Sequence, residues 1–532
     1  TYTFLEDVTD QQLSAILELN TPGLNVEAST VREYHTKYAA HILGYLGGMN
    51  DSQWSEYKDQ GYTMDAKVGQ TGFELAFEEY LHGIDGTRYD EVNKSGATTK
   101  SYYTKEPVAG NSVETTIDIK IQEVAEKALD SVMAKIKDPE QNTSTAGEGL
   151  DAEGAAVIVM ECQTGKILAC ASYPTYNLAT MYEDWAEIEA DPLKPFFNRA
   201  FGAEYPPGSS FKMCTLISAM EHRNKSGEFI HPYGTRIEDK GVFTKYEGFA
   251  PTCLAWTSGH FVHTAFDGSP GGIDATDALC YSCNYFFYVL GDLNNEENMS
   301  ETCKDLGLGV PTGIELVEKT GRLNTAEVKR KIYGSGVNGN FSAGDRILGA
   351  IGQGEYRFTP LQLCVYASTL ANKGTRMKAT FLSRVVSSDY RTLIKENQPE
   401  IANRLEMAST TIESYWTGMR KVVTQMGGTA TAYFGGPKDL YGEGDGVWPL
   451  KDEVLVYAKT GTAQHASLGS DHGAFICFAQ KKDAAAPDIA IALYGEKVAH
   501  GSWLAPVAEQ ILLSYYEMDA ASEVTAFENQ AG

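Results

Sequence analysis

Apolar positions recur along this 532-residue chain with a period that changes from block to block. After Asp118, the stretch IKIQEVAEKALDSVMAKI sets Ile121, Val124, Ala128, Val132 and Ile136 three or four residues apart. That spacing predicts a long amphipathic helix, with the Asp118 carboxylate placed to cap its first free amides. AAVIVMECQTGKILACAS, from Ala155, reads instead as two apolar runs around Gly165, a hairpin whose turn needs the positive φ that glycine tolerates. DHGAFICFAQ and DIAIALYGEK repeat this pattern around KKDAAAP, and LAPVAEQILLSYY then predicts a helix with Pro506 in its first turn. Helical patterns fill about 209 to 440. Strand-rich ends with helices inserted between them describe an α+β fold around an antiparallel sheet.

Upstream, Phe73, Phe77, Tyr80 and Leu81 have helical spacing within the run Lys67 to Arg88, with glycines on both sides. Residues 141–154 are small, polar and glycine-rich, as an exposed loop or linker would be. A chain of this length with 42% apolar residues has room for a large core and more than one domain. No segment approaches the roughly 18 consecutive apolar residues of a membrane-spanning helix, and TYTFLEDVTDQQ does not have the layout of a signal peptide. A net charge of -27 repels phosphate backbones and anionic membranes, which argues against nucleic acid as a partner. Nine cysteines are scattered along the chain with one CxxC spacing, Cys280 to Cys283, and no second such pair, and Cys162, Cys170, Cys364 and Cys477 lie inside apolar runs. Their spacing argues against a zinc site or a dense disulfide framework and for small buried hydrophobes.

Three stretches carry chemistry. In EYPPGSSFKM, Pro206, Pro207 and Gly208 stop any preceding helix and deliver Ser209 to the start of a new one. Lys212 follows three residues later on the same face, close enough to take the hydroxyl proton if burial keeps its amine neutral. The same Ser-x-x-Lys spacing at Ser55 and Lys58 has neither the proline-glycine stop nor an apolar helix behind it. In ALCYSCNYFFYVLG, Ser282 and Asn284 form a polar interruption of apolar sequence. In EVLVYAKTGTAQ, Val454 to Ala458 read as a buried strand followed by Lys459, Thr460, Gly461 and Thr462: a charge, two hydroxyls for a carboxylate and a glycine that admits another backbone. Lys319-Thr320-Gly321 lacks the preceding strand and reads as a turn.

Ser-x-x-Lys, Ser-x-Asn and Lys-Thr-Gly in this order and context resemble the motif set of the penicillin-binding proteins, in the penicilloyl-serine transferase superfamily. YPPGSSFK resembles the family's YPPGSTFK with Ser210 for threonine, NRAFGAEYPPG resembles its lead-in, and AIGQGEYRFTPLQL resembles a typical transpeptidase segment. AAHILGYLGGMN and VGQTGFELAFEEYLHGIDGTR resemble the pedestal, or dimerisation, domain of class B members, with wording closest to elongation-type proteins of Gram-positive bacteria. Nothing resembles a glycosyltransferase domain. The resemblance implies a partial pedestal over 1–115 and a transpeptidase domain over 116–532. The latter would hold a five-stranded antiparallel sheet from about 150–205 and 450–515, with a helical subdomain between.

Ser209 would then be the nucleophile toward peptidoglycan stem peptides ending in D-Ala-D-Ala, and Lys212 its base. Ser282 would relay a proton, assisted by Lys459. Asn284 would hold Lys212 and the acyl-side backbone, while Lys459, Thr460 and Thr462 would take the terminal carboxylate beside Gly461. The amides of Ser209 and Thr462 would form the oxyanion hole. The implied reaction is transpeptidation, with β-lactams as covalent inhibitors and no metal or organic cofactor. Implied partners are a membrane glycosyltransferase of the shape, elongation, division and sporulation type and other cell-wall synthesis proteins. In class B members the pedestal begins after a cytoplasmic tail and one transmembrane helix. The implied location is therefore the extracellular face of the cytoplasmic membrane, with a single-pass anchor absent from this chain. A serine β-lactamase would be shorter, without a pedestal, and would need a deacylating base that no Glu-x-x-Leu-Asn segment between Asn284 and Lys459 supplies. A D,D-carboxypeptidase would share the acylation and finish with water, and a non-catalytic β-lactam-binding scaffold or sensor would keep the fold alone.

Overall fold

The Asp118 carboxylate accepts hydrogen bonds from the amides of Lys120 and Ile121 and so starts α1 (Ile119–Lys137) where the apolar periodicity begins. The structure is a computed structural model describing residues 4–530 except 6–7, 20, 22–23, 25, 27–31, 95–97, 143, 145, 436–447 and 465–468, with side chains up to Glu517. Two compact units separate: residues 1–114 with 177–184 and 383–396, and 115–176 with 185–382 and 397–532.

The larger unit is built on a five-stranded sheet. Strand β1 (Ala155–Glu161) and strand β2 (Ile167–Tyr173) form the first hairpin, with Gly165 at φ 81. Much later come β3 (Val454–Ala463), β4 (His472–Lys481) and β5 (Ile489–Gly495). The order is β3-β4-β5-β1-β2, antiparallel throughout, so β5 pairs with β1 and β3 is an edge. Both faces of the sheet are covered, which is why its strands are continuous apolar runs instead of alternating ones. On one face, Val157, Val456, Phe475, Ile491 and Leu493 share a core with Leu129 and Met133 of α1 and with Val507 and Ile511 of α7 (Ala505–Gln530). Against the other lies α5 (Pro360–Ala371), all twelve of whose residues are buried; its Cys364 thiol reaches the carbonyls of Ile158 and Ala490.

Between β2 and β3 run α2 (Lys212–Glu221), α3 (Ala275–Cys280), α4 (Asn284–Leu293) and α6 (Ser409–Thr424). Arg420 of α6 donates to the Val456 carbonyl at 2.9 Å, and Lys421 pairs with Asp277 of α3 at 2.6 Å, tying these helices to each other and to the edge strand. An α+β fold around an antiparallel sheet is therefore present, as the apolar pattern predicts, and the sheet has the five strands that the family resemblance implies. The loop 141–154, of which 143 and 145 lie outside the described residues, is anchored at Gly149, whose amide donates to Ser470.

In the smaller unit the run after Gly72 forms two short helices, Gly72–Ala76 and Glu78–Leu81, instead of one. The buried Glu78 carboxylate accepts the Gly69 amide at 2.8 Å, and this side-chain demand breaks the helix at Phe77. A hairpin of Thr87–Val92 with Thr98–Lys105 follows. No helix among the described residues is long and apolar enough to cross a membrane.

The cap of α1 provides a check on this account. Asp118→Ala should lower unfolding free energy by about 1 kcal/mol, read as a shift of the denaturant midpoint at constant slope. An unchanged midpoint would show that the cap contributes nothing.

Candidate active site

Gly208 begins a single 3-10 turn, Gly208–Phe211, and α2 starts only at Lys212. Ser209 therefore lies on this turn, three residues ahead of the helix start, and its carbonyl accepts the Lys212 amide. Three contacts hold the turn. Gly208 has φ 55, its amide donates to the Gly352 carbonyl at 3.1 Å, and a Cβ on it would stand 2.5 Å from the Thr462 carbonyl oxygen. Ser210 donates its hydroxyl to the Pro207 carbonyl at 2.7 Å. Upstream, the Tyr205 ring stacks on Tyr494 at 4.3 Å and its hydroxyl donates to Glu496, which also receives Arg199 at 3.0 Å. Tyr494 in turn donates to the Pro206 carbonyl. The segment AIGQGEYRF braces the same turn, since Tyr205 and Phe358 exchange backbone hydrogen bonds and Thr215 donates to Ala350.

Lys212 and Lys459 are both fully buried, and both point at one hydroxyl. Lys212 Nζ lies 3.1 Å from Ser282 Oγ, 2.7 Å from the Ser282 carbonyl and 2.7 Å from Asn284 Oδ1. Lys459 Nζ lies 2.9 Å from the same Ser282 Oγ and 2.9 Å from the Thr460 carbonyl. Burial pulls the Lys212 amine down to about 8, with the sulfurs of Cys283 and Cys253 opposing. Lys459 is also held well below the usual lysine range, first by burial and then by Lys212. Two ammonium groups sharing one hydroxyl in a dry site repel each other strongly, so the arrangement favours at least one neutral amine, which is what a base requires.

Ser282 occupies the turn between α3 and α4 with φ 56, a left-handed conformation that costs a non-glycine residue of order 1 kcal/mol and is held by its amide bond to the Leu279 carbonyl. Lys459, Thr460, Gly461 and Thr462 do not follow the strand but form part of it, because β3 runs on to Ala463. Sequence reasoning ends the strand at Ala458 because the polar motif looks like a boundary. At a sheet edge, however, polar residues can keep full pairing through β4, with Lys459 opposite Ile476 and Thr462 opposite Gly473. Gly461 lies against the Ser209 turn, a Cβ there falling 3.0 Å from both the Pro207 carbonyl and the Ser210 amide.

The eight expected residues thus converge. Lys212, Ser282, Asn284, Lys459 and Thr460 are joined by hydrogen bonds, with Ser209 half-buried on the adjoining turn and Gly461 and Thr462 closing on it. Sequence reading missed Thr429, whose hydroxyl lies 2.6 Å from that of Thr460, and the Tyr205–Glu496–Arg199 set; neither has a spacing signal. The decoys stand apart. Ser55 and Lys58 are exposed, with the Ser55 hydroxyl spent on the Asp51 carbonyl, and Lys319 and Thr320 are exposed in a segment without regular secondary structure.

The cysteines are all buried and unbridged. Cys283, the middle residue of Ser282-Cys283-Asn284, meets Asp239, Cys253 and His263, and the donor atoms of all four lie within 4.8 Å of one another. This is a set that could hold a metal ion. The expectation against a metal site rested on the scattered cysteine spacing, and spacing does not report residues that four separate segments bring together.

Residues 155–513 match the penicillin binding protein transpeptidase domain, and residues 1–115 the penicillin-binding protein dimerisation domain. The peptidoglycan D,D-transpeptidase MrdA of Acinetobacter baumannii is 26% identical over 92% of this chain and 66% of its own length. The Escherichia coli protein of the same name is 26% identical over 95% of this chain and 75% of its own. The chain thus spans about two thirds to three quarters of these relatives. Among solved structures, the complex between the Helicobacter pylori penicillin-binding protein PBP2 and MreC aligns with a TM-score of 0.69 and 23% identity, covering 91% of this chain and 78% of that one. A fold organised around Ser209, Ser282 and the Lys459 strand, with two domain matches covering most of the sequence, establishes that this chain belongs to the penicillin-binding protein family, in its class B arrangement of a dimerisation domain ahead of a transpeptidase domain.

Proposed function

We propose that this chain is a serine D,D-transpeptidase that cross-links peptidoglycan stem peptides and is acylated by β-lactams. The observation that carries this reading is the single hydroxyl, Ser282 Oγ, held between two buried lysines, with Asn284 fixing the one that follows Ser209. Ser209 Oγ attacks the penultimate D-alanine carbonyl and passes its proton to neutral Lys212. The oxyanion forms against the amides of Ser209 and Thr462, each donor contributing about 3 kcal/mol to the transition state. Ser282 hands a proton to the departing nitrogen, with Lys459 beside it, and terminal D-alanine leaves. Lys459, Thr460 and Thr462 take the carboxylate of that leaving residue, and Gly461 leaves the edge of β3 open to the peptide backbone. An amine from a neighbouring stem peptide then attacks the ester, forms the new amide and returns the proton to Ser209. A β-lactam acylates the same serine, but its leaving amine remains tethered, so the ester persists.

The relatives' names and the resemblance of the motifs support this role. From the family resemblance we infer a protein that works at the outer face of the cytoplasmic membrane. Its partners would be a membrane glycosyltransferase and other cell-wall proteins.

Incubation with a pentapeptide stem donor and an amine acceptor should release D-alanine and give a cross-linked product in proportion. Release with only hydrolysed donor at saturating acceptor would identify a carboxypeptidase instead, and no release would identify a scaffold. The pH dependence follows from Lys212. Because the reactive form is the neutral amine and its pKa is about 8, acylation by a β-lactam should rise about tenfold per pH unit below pH 7 and level off above pH 8. A flat rate from pH 6 to 9 would remove Lys212 as the base.

A further inference from the structure

Arg322 and Arg357 stand directly opposite each other. The Arg322 amide donates to the Arg357 carbonyl at 2.7 Å and the Arg357 amide to the Arg322 carbonyl at 3.0 Å, the reciprocal pair of an antiparallel bridge. Residues paired in this way project their side chains to the same face, where like charges repel. Gly321 makes the approach possible, since a Cβ on it would stand 2.6 Å from the Arg357 carbonyl oxygen and 2.7 Å from Gln362 Oε1. The stretch Lys319-Thr320-Gly321, which is no part of the active site, thus delivers Arg322 to the segment that braces the Ser209 turn.

The nearby carboxylates do not balance this pair. Glu355 accepts Arg322 Nη2 at 3.4 Å and the Tyr333 hydroxyl at 2.9 Å, while Glu204 accepts the Gly321 amide at 2.9 Å. Lys319 adds a third positive charge from the same segment. Arg357 has no carboxylate partner among the described residues; its Nη1 donates to the carbonyls of Gly354 at 2.9 Å and Tyr356 at 2.7 Å. Burial, and then the charge of Arg322, hold its guanidinium below the usual arginine range, although it stays charged at neutral pH. A local surplus of positive charge is out of character in a chain with 71 acidic residues against 44 basic ones, and it calls for an anion from outside.

What Arg357 leaves unused identifies the chemistry of that anion. With Nη1 committed, Nε and Nη2 remain, the edge of the guanidinium that grips a carboxylate through two parallel hydrogen bonds. Arg384 in the smaller unit uses this same edge on Glu114, at 2.7 Å through Nε and 3.0 Å through Nη2. The two carbonyls on Nη1 fix the plane of the Arg357 group in advance, so little side-chain freedom is lost when a ligand binds. Arg357 is half-buried and the Arg322 side chain is 39% exposed, so both keep access to solvent.

We propose that Arg357, with Arg322 beside it, forms a second carboxylate site that holds an uncross-linked stem peptide by its terminal carboxylate, through the Nε and Nη2 donors of Arg357. The identity of this ligand rests on the transpeptidase reading, in which two carboxylate-bearing stem peptides must meet on one protein. Lys459, Thr460 and Thr462 provide for the carboxylate of only one of them. A peptide held at Arg357 stays on the protein while another is acylated, which raises its effective concentration near the ester. Arg357 binds and takes no part in bond making.

The test uses the whole chain with Ser209 blocked by benzylpenicillin, so that the donor site is filled, and an N-acetylated stem pentapeptide ending in D-Ala-D-Ala as the probe. Calorimetric titration should show one peptide bound per chain. The same peptide with a C-terminal amide should bind at least tenfold more weakly. Arg357→Gln and Arg357→Lys should each weaken binding of the acid at least tenfold, the lysine because it keeps the charge and loses the fork. If these variants fail to fold, acid against amide on the unaltered protein still decides. Equal binding of acid and amide, or binding untouched by Arg357→Gln, would overturn the site. Inorganic phosphate bound more tightly than the peptide, and lost in Arg357→Gln, would assign the fork to a phosphate-bearing ligand and overturn the peptide. A chain that benzylpenicillin does not acylate would contradict the transpeptidase reading instead; peptide binding needs no turnover, so the two can fail separately.

Discussion

One hydroxyl shared by two buried lysines is the constraint around which this molecule is arranged. Ser282 Oγ receives Lys212 at 3.1 Å and Lys459 at 2.9 Å, and neither amine has access to solvent. Placing two such groups in a dry interior is costly, and the cost falls when an amine gives up its proton. The same desolvation that penalises the folded chain therefore favours a neutral amine, the form that the proposed base requires. Each lysine needs a rigid carrier for this to work. Lys212 begins α2 behind the Ser209 turn, and Lys459 is locked into β3 by its pairing with β4.

Glycine does the fitting between these carriers. Gly208 and Gly461 allow the Ser209 turn and the edge strand to meet at backbone distance, and Gly352 packs its Cα directly against Gly208 from the opposite side, where a Cβ would fall 2.1 Å from the Gly208 carbonyl. Side chains at any of these positions would push the nucleophile away from the strand. The lead-in Tyr205 and Pro206, held by Glu496 and Tyr494 at the far end of β5, carries that fit back into the sheet. Sheet order and active-site geometry are in this sense one fact: β5 holds the approach to Ser209, and β3 forms the wall beside it.

Much of this was legible before any coordinates. The helix at Asp118, both hairpins and the helix at Pro506 follow from period and turn residues, which are local properties. Ser209, Lys212, Ser282, Asn284 and Lys459 could be singled out as candidates because each motif carries a distinctive flank, while Ser55–Lys58 and Lys319–Gly321 lack it. What failed locally did so for tertiary reasons. The helix after Gly72 is interrupted at Phe77, next to the Glu78 carboxylate that turns back to the Gly69 amide, and β3 extends through a polar motif because its partner strand continues. Thr429, Glu496 and the three residues around Cys283 were invisible because nothing in their spacing marks them. They meet only when segments far apart in sequence fold together, and cysteines that look like scattered hydrophobes prove to have different fates: Cys364 fills the core, whereas Cys253 and Cys283 face Asp239 and His263.

The central claim is that Ser209, and no other side chain, is the nucleophile this environment prepares. Intact mass after incubation with benzylpenicillin, followed by peptide mapping, addresses it most directly. The account predicts one adduct per chain, located on the peptide containing Ser209 and absent from Ser209→Ala. An adduct that persists in that variant, or no adduct in the unaltered protein, would contradict it.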